Sequence, residues 1–65
     1  MIKCHLSQLM GIHKQKVADV ARATGLNRST VTALYDEKAT RIDLETIEKL
    51  CKHFGCGVGE LLEVI

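Results

Sequence analysis

The chain has no proline and no tryptophan, and Tyr35 and Phe54 are its only Phe, Tyr or Trp residues. Without a row of exposed rings there is no platform on which unstacked bases could lie, which argues against single-stranded nucleic acid as a partner. Duplex recognition needs no such rings. Apolar runs are only a few residues long, far short of the ~20 that cross a bilayer. The opening MIKCHLSQL lacks the apolar centre of a secretory leader. A soluble, cytoplasmic protein is expected.

Catalytic signals are also missing. No Ser, His and acid arrangement, carboxylate pair or phosphate-binding glycine loop has a recognisable setting. Gly55, Gly57 and Gly59 form the one glycine cluster, and no strand is expected before it, so it reads as the exit of one helix and the entrance of the next. The three cysteines, an odd number, fit no disulfide framework. Cys51, His53 and Cys56 lie close in sequence, and Cys4 with His5 are the other potential ligands, but no second C-x₂₋₄-C unit completes a zinc site. Reduced cysteines acting as small apolar side chains are expected instead. The pattern calls for no enzyme activity, no cofactor and no metal.

At 65 residues the chain is long enough for one domain, 1–65. A core of that size supplies only about 3–5 kcal/mol, which favours self-association. The net charge of +1 conceals an asymmetry. Residues 1–41 carry Lys3, Lys14, Lys16, Arg22, Arg28, Lys38 and Arg41 against Asp19, Asp36 and Glu37. In residues 42–65, Lys49 and Lys52 face Asp43, Glu45, Glu48, Glu60 and Glu63. A polyanion should meet the first part.

Helical periodicity is present along most of the chain. Ile2, Leu6, Leu9 and Met10 have the spacing of a first helix, with Gly11 near its end. Ile2 and Cys4 also alternate around Lys3, so residues 1–4 could instead be extended and pair with a second copy. Val17, Val20, Ala21 and Thr24 fall at i, i+3, i+4 and i+7, and Gly25 follows where the chain needs a left-handed exit. Asn27 can cap the next helix, with Leu26 and Val31 spaced as a hydrophobic staple. In that helix Val31, Leu34 and Tyr35 share one side and leave Ser29, Thr32 and Ala33 outward, with Arg28 beside them. DEKATRI reads as a loop. Asp43 then caps a helix carrying Leu44, Ile47, Leu50, Cys51 and Phe54 on one face, with Lys52 and His53 in its last turn and Gly55 beyond. Gly57 opens a fifth helix through Val58, Leu61, Leu62 and Ile65.

An alanine four residues before a turn glycine, then an apolar residue, a cap and a polar helix resembles a helix-turn-helix. Val20-Ala21, Gly25-Leu26 and NRSTVTALY together resemble the lambda-repressor-like family, the Cro/repressor or xenobiotic-response-element type of transcriptional regulator. The resemblance covers nearly the whole chain. It implies an all-α fold of five helices with the helix-turn-helix at helices 2 and 3, bacterial or phage- or plasmid-encoded, and a recognition helix over 27–35 lying in the major groove.

By the same resemblance, base contacts come from Arg28, Ser29, Thr32 and Ala33. Their chemistry suits that role: an arginine fork for guanine O6 and N7, hydroxyls for several bases, a methyl for thymine. The resemblance places phosphate contacts at Lys16, Asn27, Thr30, Lys38, Thr40 and Arg41, with two helix N-termini aiming amides at the strand. Many members have Thr or Ser followed by Gln at the start of helix 2, where this chain has Lys16-Val17. The bracing glutamine is absent, and Lys16 offers a point charge to phosphate instead.

One such module covers a half-site. A homodimer on a palindromic operator is expected, joined through helix 5 or the N-terminal segment, as in small phage-type repressors and antitoxins of this fold. The rival expectation is a protein-interaction module of the same fold that pairs with a partner protein through the apolar end of helix 5.

Overall fold

A computed structural model describes residues 1–65. In chain order the elements are β1 (Ile2–Cys4), α1 (Leu6–Ile12), α2 (Val17–Thr24), α3 (Arg28–Tyr35), α4 (Leu44–Phe54), α5 (Val58–Leu61) and β2 (Leu62–Val64). Each helix contributes one fully buried aliphatic side chain to a common centre: Leu6, Val20, Val31, Leu50 and Leu61. Met10, Ala21, Leu34, Phe54 and Cys4 close around them.

The two chain ends depart from the all-α expectation. Ile2–Cys4 does not begin the first helix, and the fifth helix stops at Leu61 instead of running to Ile65. The two segments pair as an antiparallel ribbon in which Ile2 faces Val64, Lys3 faces Glu63 and Cys4 faces Leu62. Hydrogen bonds from His5 N–H to the Leu61 carbonyl (2.7 Å) and from Ile65 N–H to the Met1 carbonyl (2.9 Å) bracket it. The physical reason is pairing: a four-residue helix is scarcely past nucleation, whereas β-branched Val64 and Ile65 suit an extended strand once a partner strand lies alongside. The alternation at residues 2–4 thus marks a strand, and its partner is the chain's own C-terminal segment. A hydrogen bond between the His5 ring and the Glu63 carboxylate, at 2.8 Å, adds a side-chain link beside the ribbon.

Helix ends follow a common device. Gly25 (φ 76°) and Gly55 (φ 63°) are left-handed, as the sequence predicts. Lys14 (φ 55°) and Glu37 (φ 56°) do the same at the ends of α1 and α3 without being glycine. Three of these exits carry the hydrogen bond that spans five residues: Gln15 to Met10, Lys38 to Ala33 and Cys56 to Cys51. Gly11, expected near the first helix's end, lies within its last turn.

Two faces also differ from expectation. Leu44 is 83% exposed, while Thr46 is buried. Leu44 is the first residue of α4 and overhangs the core, whereas Thr46 lies one turn before Leu50 on the inward side. Tyr35, at the last position of α3, is 43% exposed rather than packed with Val31 and Leu34.

Candidate nucleic-acid interface

α3 is positioned by its two ends and its buried stripe. At its start the Asn27 side-chain oxygen accepts from the Ser29 amide at 2.9 Å and from the Ser29 hydroxyl at 2.8 Å. Before it, Gly25 turns the chain. The Thr24 hydroxyl donates to the Val20 carbonyl at 2.7 Å and accepts from the Leu26 amide at 3.3 Å, so Thr24 fastens the turn rather than merely packing. Leu26 packs on the core that holds Val31, as the staple spacing predicts. Only Val31 and Leu34 of α3 are buried.

That burial leaves Arg28, Ser29 and Thr32 exposed and Ala33 half-buried. The capping geometry alters what two of these groups offer. With its hydroxyl proton donated to Asn27, Ser29 presents lone pairs and is left as an acceptor. Asn27, its oxygen occupied, keeps an amide NH₂ free to donate.

The residues expected to contact phosphate lie at the N-cap of α2, at the N-cap and first turn of α3, and in the connection that follows α3. Lys16, Asn27, Lys38, Thr40 and Arg41 are exposed, and Thr30 is half-buried. Lys16 caps α2, and its amide donates to the Asp19 carboxylate at 2.9 Å. The amide hydrogen bond from Lys16, helped by the Arg22 guanidinium at 2.9 Å, holds the Asp19 carboxyl below the ordinary carboxylate range. A fixed anion therefore sits at the α2 N-terminus and offsets part of its positive end.

A groove of about 360 Å³ joins several of these positions: Ser29, Thr30 and Ala33 from α3, Arg41 from the connection, Asp43 from the N-cap of α4 and Thr46 from its first turn. Sequence reasoning missed Thr46, because its burial depends on where α4 packs. It gave Asp43 only a capping role. Asp43 does occupy the N-cap of α4, yet its carboxylate makes no capping hydrogen bond and borders the groove instead.

Ion pairing sharpens the charge asymmetry. Both lysines of the acidic part are committed to helix pairs, Lys49 with Glu45 at 3.2 Å and Lys52 with Glu48 at 3.7 Å. Arg22 is committed to Asp19. Lys3, Lys14, Lys16, Arg28, Lys38 and Arg41 make no ion pair, and all lie in residues 1–41. The histidines serve the scaffold: besides His5 with Glu63, the His53 ring donates to the Gln15 side-chain oxygen at 2.7 Å and stacks edge-on against Phe54.

Uncompensated cations around an exposed, hydroxyl-bearing helix are the attributes of a protein that binds nucleic acid. Residues 5–65 match the model of the Cro/C1-type HTH DNA-binding domain, and the chain belongs to that family. Its members are DNA-binding regulators, not enzymes. The chain is 27% identical over 59 residues to an uncharacterized HTH-type transcriptional regulator, YozG, of Bacillus subtilis (strain 168), a match that covers 91% of this chain and 70% of the relative.

Proposed function

We propose that α2 and α3 are the helix-turn-helix of this DNA-binding regulator and that α3 enters the major groove of a specific duplex site. The observation that carries this reading is the exposed N-terminal half of α3, flanked by cations that have no partner within the protein. Arg28 reads guanine through its fork, and Thr32 and Ala33 meet the next bases along the groove. Ser29, left as an acceptor, takes a hydrogen bond from cytosine N4 or adenine N6. Lys16, Asn27, Thr30, Lys38, Thr40 and Arg41 hold the backbone on either side.

The protein acts as a repressor in the form of a homodimer on a palindrome whose half-sites lie about one helical turn, ~34 Å, apart. Two domains, each 29 Å in longest extent, side by side suit that spacing. Both segments expected to join the copies meet in the β1–β2 ribbon, where Met1, Ile2, Val64 and Ile65 are exposed. The same apolar cluster favours the second reading, an antitoxin-like domain whose ribbon pairs with a different protein.

Binding measured against salt on selected and on random duplexes tests the proposal. A domain neutralising Z phosphates loses affinity with a log-log slope near −0.9Z and prefers the selected site. Equal binding to all duplexes, or none at low salt, would overturn sequence-specific recognition.

A further inference from the structure

We infer that Cys51 and Cys56 form a redox-active dithiol pair that closes to an intramolecular disulfide and so clasps the joint between α4 and α5. Cys51 is in the last turns of α4, Gly55 bends the chain left-handed at φ 63°, and the Cys56 amide returns to the Cys51 carbonyl at 3.0 Å. In this type of helix exit, the two residues joined by the long hydrogen bond commonly bring their side chains into contact. Here both side chains are thiols. They are free and half-buried, neither sealed in the core like Cys4 nor wholly in solvent. A disulfide requires the two backbones to run close together, and the 3.0 Å hydrogen bond between these two residues holds them so.

The side-chain chemistry agrees with that contact. Burial pushes the Cys56 thiol up from its ordinary range, and the neighbouring Cys51 sulfur pushes it further. Either thiol can act first, and the chemistry balances identically with the two exchanged. The oxidant is a hydroperoxide. The Cys51 sulfur attacks a peroxide oxygen, the O–O bond breaks, and a sulfenic acid forms with release of water. The Cys56 sulfur then attacks the sulfenic sulfur, the S–O bond breaks, and the hydroxyl leaves as a second water with the Cys56 proton. Two thiols and one hydrogen peroxide give one disulfide and two waters, so the two electrons lost by sulfur reduce the peroxide.

The clasp closes a short loop at the end of α4 remote from Asp43, roughly 16 Å away along an 11-residue helix. It ties that helix to α5, which carries the fully buried Leu61 and leads into β2. Oxidation thus stabilises the part of the chain that builds the ribbon.

Lysines on either side of Cys51 make the link easy to see. Cleavage after Lys49 and Lys52 places Cys51 in the peptide 50–52 and Cys56 in the peptide 53–65. After treatment of the whole protein with hydrogen peroxide, non-reducing mass spectrometry should find these two peptides joined, the intact monomer lighter by two hydrogens, and Tm raised by about 5–15 °C. Dithiothreitol should reverse all three changes. Cys56→Ser and Cys51→Ser should each abolish the link and the rise in Tm. Disulfides between copies, links to Cys4, or oxygen addition to Cys51 or Cys56 without a link would overturn the clasp.

Discussion

The side-chain oxygen of Asn27 is shared between the amide and the hydroxyl of Ser29, at 2.9 and 2.8 Å. One contact thus caps α3 and sets the polarity of a side chain assigned to base reading. Asn27→Ala should destabilise the fold by about 1 kcal/mol and release the Ser29 hydroxyl to donate. Asn27→Asp should keep the cap but weaken every duplex, since it replaces the free NH₂ donor with a negative charge near phosphate. Chemical denaturation and binding to a panel of duplexes separate the two. An Asn27→Asp variant with undiminished DNA affinity would remove Asn27 from the phosphate contacts.

Reading and holding are separable in the same way. Arg28→Ala should cost about 1–3 kcal/mol on the preferred site and relax the choice of one base pair, with little effect on random DNA. Lys38→Ala should weaken all duplexes alike and reduce the salt slope by about one unit. If Arg28→Ala lowers binding to every sequence equally, its guanidinium contacts phosphate and reads no base.

Two glycines make opposite predictions about stability. Gly25 has φ 76° and open space where a side chain would project, so Gly25→Val carries the cost of backbone strain alone, about 1–3 kcal/mol of destabilisation. Gly11 lies inside α1 with equally open space, and Gly11→Ala should stabilise by roughly 0.5–1 kcal/mol. Thermal melts of both variants check the pair, and the same sign for both would show either that Gly25 is not left-handed or that Gly11 is not helical in solution.

The ribbon governs association in the proposed homodimer. Val64 is 78% exposed, so Val64→Glu should leave the monomer's melting temperature nearly unchanged. Sedimentation should nevertheless show the dimer shifted to monomer, with loss of affinity for a two-half-site duplex. A monomer at every concentration in the unmodified protein would refute pairing through this surface.

Acid sensitivity should reside in part at the α2 N-terminus. The Asp19 carboxyl titrates below its unfolded value, so its contribution is fully present above the ordinary carboxylate pKa and is lost as pH falls through the lower, folded one. Tm of the unmodified protein should therefore fall more steeply than that of Asp19→Asn between about pH 4 and the acid limit. Parallel curves for the two proteins would mean that Asp19 is not linked to folding.

The sequence by itself determined the middle of the molecule, where each signal is local. Periodicity placed the inward faces of α2 and α4, Gly25 and Gly55 supplied the left-handed exits, and Asn27 with Leu26 and Val31 fixed the start of α3. Arg28, Ser29 and Thr32 were legible as an exposed set because the opposite stripe must be buried. Tertiary structure decided what depends on distant pairing. Ile2–Cys4 becomes a strand only because Leu62–Val64 lies beside it, and helical spacing over so few residues could not foresee that partner. Glu37 holds a left-handed φ while its carboxylate accepts the Cys4 amide at 3.1 Å, a contact across 33 positions that no local preference announces. Likewise Thr46 is buried and Leu44 exposed because the core lies nearer the middle of α4 than its first turn. Periodicity gives the direction of a helix's inward face, but only packing decides how far along the helix the core extends.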